Sequence, residues 1–329
     1  MRLRRIAALA ATALLAPLVL TACDSAAATE GDGRVQVLAS FYPLQFVSEQ
    51  VGGDLVDVEN LTPPAADPHD LELSLARARE LGLADVVVYL SGFQPAVDDA
   101  IAQRRPANLV DAADHVTLLS ASVTGGDQAH DHGTDVGGEY DSHSHDTHGH
   151  GDPAGDDPHF WLDPTLLARL AQPVADALAA ADPANAETFN ANAADLEDRL
   201  QALDQELADG LAPFAGATLI TNHTAFGYLA QRYGLEQVGI TGLDHNTEPS
   251  PARLREIGQI ARDHHVATLF YETLVSPRVV QTLASDQGLR AAVLDTLEGL
   301  TQDKIDAGED YVTVMQRNLR TLQEGLVAQ

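Results

Sequence analysis

Residues 86–90 (VVVYL) form a near-continuous apolar run, bounded by turn-forming positions and too short for a globular helix. A strand of this kind is covered on both faces, which places it in a parallel sheet flanked by helices. Short runs of the same kind repeat the theme at 35–40, 108–110, 218–221, 237–240, 266–271 and 291–294. Helical patterns, such as residues 75–83, lie between them. Strands alternating with helices predict an α/β fold built on parallel sheets. Residues 185–211 break the rhythm. Phe189, Leu196, Leu200, Leu203, Leu207 and Leu211 fall on one helical face, and Asp182-Pro183 supplies a helix start. Such a helix is about 40 Å long, and near the middle of the chain it can bridge two lobes. The expected layout is an N-terminal α/β lobe over 35–181, a linking helix over 182–212 and a C-terminal α/β lobe over 213–329.

The N-terminus reads as a secretory signal over residues 1–22. Arg2, Arg4 and Arg5 form a basic start, an apolar stretch follows to Leu20, and Leu20-Thr21-Ala22 precedes Cys23. Cys23 is the only cysteine of the 329 residues, so no disulfide can form within the chain. A lone cysteine after small residues resembles a bacterial lipobox, whose thiol is acylated and becomes the mature N-terminus. Residues 23–34, small and polar, then form a lipid-anchored tether on the outer face of the cytoplasmic membrane. Removing residues 1–22 takes away three arginines and no acid, which deepens the formal charge from -30 to -33. So acidic a chain lacks the basic face that nucleic-acid binding needs. Neither a G-x-S-x-G nor a Walker A pattern occurs, and no nucleophile is paired with a base.

Four places carry metal-binding chemistry. Pro68-His69-Asp70 lies in a Pro-rich loop. His159 lies in DPHFWLDP (157–164). His223 directly follows the strand at 218–221, and Asp295 directly follows the strand at 291–294. In open α/β sheets ligands bind beyond the carboxyl ends of strands. Glu272 also follows a strand and competes with Asp295 as the carboxylate. Three imidazoles and one carboxylate suit a borderline cation such as zinc, and a site filled by four protein groups leaves no place for a reactive water. His245 and the pair His264-His265 read as surface residues, and His115 as structural.

PHD at 68–70, DPHFWLDP, HTAFGYL at 223–229, EPSP at 248–251 and the FYE…LD pair occur in an order and spacing that resemble the metal-binding receptors of zinc and manganese ABC importers. The resemblance runs over nearly all of residues 35–325. It implies two α/β lobes joined by one long helix, with the metal in the cleft between them. It implies His69, His159, His223 and Asp295 as ligands of a transported Zn2+; Glu272, where Asp295 is the carboxylate ligand, is then placed to orient a histidine. It implies a monomeric receptor, not an enzyme, that hands metal to an ABC permease, and it admits a zinc metallochaperone as a second partner. Manganese-type relatives tend to carry a carboxylate where this chain has His223, so the imidazole favours zinc. The alternatives are a manganese or iron receptor of the same family, a metal-dependent hydrolase, and an adhesin. Leu71 and the Ser91-Gly92-Phe93-Gln94 turn depart from the family pattern around the cleft.

Residues 125–157 hold almost no large apolar side chain, and by composition they form a mobile loop. His130, His132, His143, His145, His148 and His150, interleaved with aspartates, give it the composition of an auxiliary weak metal-binding tract beside the cleft.

Overall fold

In the computed structural model of the chain, described over residues 33–124, 155–243 and 248–328, eight of the ten strands form two parallel four-stranded sheets. The first contains β1 (Val35–Ala39), β2 (Val56–Asn60), β3 (Val86–Tyr89) and β4 (Leu109–Asp111), in the order β2-β1-β3-β4. Val37 of β1 stands opposite Val58 on one side and Val86 on the other. Alternate side chains of β3 enter different cores. Val86 and Val88 face the large central core, whereas Val87 and Tyr89 face a smaller one with Leu81, Val97 and Ile101. That two-sided burial accounts for the unbroken apolar run. β2 escaped the sequence reading because it is an edge strand, VDVEN, with only its first residue buried.

Two residues on each side then form a short antiparallel ribbon, β5 (Leu119–Ser120) against β6 (Asp156–Asp157). The compositional loop assigned to 125–157 is therefore too long at its C-terminal end. Asp156 and Asp157 belong to the fold, and Asp157 is fully buried because it has a histidine to hold. The six histidines from His130 to His150 lie outside the described residues, as do Cys23 and His245.

The second sheet contains β7 (Thr218–Thr221), β8 (Glu236–Gly239), β9 (Thr268–Tyr271) and β10 (Arg290–Val293), in the order β10-β9-β7-β8. Leu219 faces the central core and Ile220 the outer one, which repeats the arrangement of β3.

Between the sheets runs the helix Ala186–Leu211, of 26 residues. Asp182 caps the 3-10 turn Pro183–Asn185 that leads into it, and Ala212–Phe214 forms a second such turn beyond it. Its buried face is Phe189, Ala193, Leu196, Leu200, Leu203, Leu207 and Leu211, a spacing of three and four residues. It packs against Tyr42–Gly52 and Ala171–Ala181 of the first lobe and against Tyr311–Gly325 of the second. Asn192 Nδ2 donates to Val51 O at 2.9 Å, and Gln316 Nε2 donates to Glu206 at 2.8 Å. One core runs through the helix into both lobes, so the cleft between them has a stiff back. Among the described residues no helix is long and apolar enough to cross a membrane.

Candidate metal centre

The loop carrying His69 leaves β2 and is pinned at several points. Thr62 Oγ1 donates to Ser40 O at 2.7 Å, and Asp67 Oδ1 accepts from the His69 N–H at 2.8 Å. Buried Gln94 donates through Nε2 to Thr62 Oγ1 at 3.1 Å and to Pro68 O at 3.2 Å. Phe93 meets the His69 ring edge-on, with centroids 4.8 Å apart.

DPHFWLDP uses each of its aspartates locally. Asp157 Oδ1 accepts from the His159 N–H at 2.9 Å and pairs with its ring Nδ1 at 2.6 Å. Asp163 caps the helix Pro164–Ala168. Between them Phe160–Leu162 makes a 3-10 turn that buries Trp161, whose indole N–H donates to Thr296 O at 2.8 Å across the cleft. Tyr228 ties the same segment to the second lobe. Its hydroxyl donates to Asp157 O and accepts from Leu119 N–H, both at 2.7 Å.

His223 follows β7, and its Nδ1 lies 2.5 Å from Glu272 Oε1. Glu272 follows the neighbouring β9, where Asn222 Oδ1 accepts its N–H at 3.0 Å. The carboxyl ends of adjacent strands thus present a histidine and its carboxylate together. Glu272 stands behind His223, in the orienting role rather than at the cluster itself.

The Nε2 atoms of His69, His159 and His223 converge on a single carboxylate oxygen, Glu298 Oε1, at 3.5, 3.1 and 3.7 Å. His159 Nε2 and His223 Nε2 are 3.5 Å apart. All four ligand atoms lie within 4.8 Å of one another. Zinc–nitrogen and zinc–oxygen bonds of about 2.0–2.2 Å give tetrahedral edges of about 3.3–3.6 Å, so four of the six edges already have nearly the size that zinc requires. Both histidines whose Nδ1 partner is a carboxylate direct Nε2 inward, the arrangement that fixes tautomer and raises ligand basicity.

Asp295 is not part of this cluster, which corrects the ligand set expected from the sequence. Its Oδ1 accepts from Leu297 N–H at 2.9 Å and its Oδ2 from Lys304 Nζ, so both oxygens are turned into the protein. The carboxylate facing the three imidazoles belongs to Glu298, three residues further on. Its signal in the sequence was a second carboxylate, after Asp295, within the stretch framed by Leu294, Leu297 and Leu300, all buried.

Burial by itself disfavours the imidazolium at His159, but the Asp157 and Glu298 carboxylates outweigh it and raise the pKa to about 10. Burial pushes the Glu298 carboxyl up, yet hydrogen bonds from His159 and His69 and the positive field of the histidines hold it well below the usual range. Without metal the cluster thus favours an anionic Glu298 carboxylate beside the His159 imidazolium. His159, His223 and Glu298 are buried, whereas the His69 side chain is 20% exposed. A cavity of about 550 Å3 opens beside it, lined by His69, Asp70, Phe93, Leu118, Asp156 and Leu243. Of the four residues, His69 is the one that faces open space. His115, His264 and His265 are exposed and distant from the cluster.

Residues 37–325 match the model of a protein family described as ZnuA, zinc-uptake complex component A, periplasmic. The zinc-binding lipoprotein AdcA of Streptococcus pneumoniae is 34% identical over 316 residues, which are 95% of this chain and 59% of that protein. The chain thus spans little more than half the length of that streptococcal relative. The high-affinity zinc uptake system protein ZnuA of Bacillus subtilis is 32% identical, with 94% of each chain covered. Among solved structures, the Zn(II)-bound ZnuA-like domain of Streptococcus pneumoniae AdcA superposes with a TM-score of 0.71 at 31% identity, covering 89% of this chain and 99% of that one.

Proposed function

Because the chain belongs to the family of ZnuA, zinc-uptake complex component A, we propose that it is an extracytoplasmic receptor that captures Zn2+ and passes it to the permease of an ABC importer. The observation that carries this reading is the spacing of His69 Nε2, His159 Nε2 and His223 Nε2 around Glu298 Oε1, which fits a tetrahedral zinc. Three nitrogens and one oxygen favour zinc over manganese, which prefers more oxygen. Four protein ligands leave no coordination position for water, which supports carriage over hydrolysis. Zinc is the cargo, so the site must also release it. His69, the half-open ligand on a loop, is the one whose departure opens the way out.

The lipobox around Cys23 supports attachment of the mature protein to the membrane by a lipid, with the lobes outside the cytoplasm. A permease takes the metal, a metallochaperone can load it, and the receptor works as a monomer.

Metal analysis of the purified mature chain, followed by competition among zinc, manganese and iron, tests the reading. The expected outcome is one tightly held zinc per chain that neither of the other metals displaces at equal concentration. Preferential loading with manganese would overturn it.

A further inference from the structure

Lys304 is the only lysine in the chain; the rest of its 19 lysine and arginine residues are arginine. Its ammonium meets the Asp295 carboxylate, which is only 3% exposed and lies just before Glu298 in the chain. An ammonium is a compact point charge, whereas a guanidinium is a wide planar fork. A composition that otherwise uses arginine throughout keeps a lysine where one carboxylate oxygen needs one small cation.

The segment that this pair holds is the one that supplies Glu298. Leu297 has φ of +57°, in the left-handed region that a branched side chain rarely adopts, and its side chain is fully buried. Its N–H is held by Asp295 Oδ1 at 2.9 Å. Asn318 in turn grips the Asp295 backbone from both sides, accepting from its N–H at 2.9 Å and donating to its carbonyl at 2.7 Å. Trp161 fastens Thr296 O, and the Ala65 N–H donates to Leu300 O at 3.1 Å. The left-handed residue therefore sits between two anchored neighbours. One residue later the chain presents Glu298 to the imidazoles.

We propose that the Asp295–Lys304 ion pair is the specificity-determining device of the centre: Lys304 engages Oδ2 of Asp295 and leaves Oδ1 to the Leu297 N–H, which holds Leu297 left-handed and so presents one carboxylate oxygen of Glu298 to the metal. Neither residue touches the cation; both are positioning residues. A fixed single oxygen keeps the coordination number at four, which suits zinc. A loosened turn lets Glu298 bind through two oxygens, or lets Asp295 or water join, which suits manganese and its preference for more oxygen ligands. The inference rests on the zinc-receptor reading above.

The test compares the mature parent protein with Lys304→Met, which keeps the stem and removes the charge, and Asp295→Asn, which keeps the shape. Each is titrated with zinc and with manganese against a chelating competitor, its thermal midpoint is measured, and visible absorption is recorded with Co2+ bound. The expected result is a zinc-over-manganese affinity ratio at least about tenfold lower in both variants, the scale typical of groups behind metal ligands. The strong absorption of four-coordinate cobalt should weaken in parallel. The double variant should lose little more than either single one, because the residues act as one unit. Variants that melt earlier but keep the parent's metal ratio and cobalt spectrum would overturn the proposal, since the pair would then serve stability alone. A parent that holds no zinc would overturn the receptor reading itself, and this inference with it.

Discussion

Asp157 Oδ1 lies 2.6 Å from His159 Nδ1, and both side chains are fully buried. The same oxygen accepts the His159 backbone N–H, so one carboxylate fixes the residue's backbone and its ring together. Asp157→Asn keeps an acceptor for the backbone but removes the charge behind the imidazole. Zinc affinity should fall by roughly 10- to 100-fold, as for other carboxylates behind metal-bound histidines. Glu272→Gln should do the same through His223, which it meets at 2.5 Å. Competition with a chelator of known affinity measures both, and unchanged affinity in either variant would mean that its carboxylate does not support the ligand.

The pH dependence follows from His159. Its pKa is about 10 in the folded, metal-free protein, against about 6.5 for an unperturbed imidazole. The raised value means that the imidazolium stabilises the fold fully below about pH 6.5 and that this contribution is lost as pH rises through about 10. Zinc requires the neutral ring, so binding in that window expels a proton. Affinity should therefore climb between pH 7 and pH 9, by up to about tenfold per unit for each proton displaced. A histidine at its ordinary pKa would instead confine the loss of affinity to below about pH 6. Calorimetry at pH 7 in two buffers of different ionisation enthalpy reads the released proton directly. Equal heats in the two buffers would rule the proton-coupled site out.

How much of this could be read in advance depended on where each residue lay. β3 was legible because burial on both faces leaves an unbroken apolar run, and β7 because its buried Leu219 and Ile220 sit between β-branched threonines. The long helix was legible because its buried residues keep helical spacing from Phe189 to Leu211, about six turns. β2 was not, since an edge strand shows solvent half its side chains. The three histidines sat at strand ends or in marked loops, which is where ligands bind. Glu298 was hidden because its position depends on a left-handed Leu297, and no local pattern announces that a leucine will adopt that conformation. Asp295 occupied the obvious strand end, yet a lysine nine residues further on engages its carboxylate, which lies outside the cluster of imidazoles.

Gln94 shows why the departure of the Ser91-Gly92-Phe93-Gln94 turn from the family pattern matters. Its Nε2 donates to Thr62 Oγ1 and Pro68 O, at two points of the loop that carries His69. A glutamate there has no N–H to give, and its charge would face a carbonyl in a position only 2% exposed. Gln94→Glu should cost about 1–3 kcal/mol of stability through the lost bonds and the buried carboxylate. Because the freed loop holds the half-exposed ligand, the rate of zinc release should rise as well. Stopped-flow release into a fluorescent chelator checks the rate. A variant that melts early but releases zinc at the parent's rate would separate Gln94 from the metal.

The ribbon of β5 and β6 makes a last prediction about residues 125–154. Ser120 pairs with Asp156 and Leu119 with Asp157, so the two flanks of that segment are joined before it begins. Tyr228 bonds to both strands of the ribbon, and Asp157 hands the arrangement on to His159. Nothing in the cluster of His69, His159, His223 and Glu298 comes from within 125–154. Replacing those residues by a short Gly-Ser linker, with Asp156 and Asp157 retained, should leave the equilibrium constant of the tight site nearly unchanged. Total zinc bound should drop with the six histidines from His130 to His150. Capture from dilute zinc should slow, because tethered weak sites raise the local metal concentration without adding contacts at the tight one. Extending the deletion through Asp157 should behave differently: it removes the partner of His159 Nδ1 and should weaken the tight site like Asp157→Asn. His223→Ala, with the histidine tract intact, should abolish tight binding outright, because it removes a ligand. Isothermal titration of these variants beside the parent decides the matter. If the shorter deletion destroys the tight site, or His223→Ala keeps it, the metal is held by the histidine tract and not by the cleft.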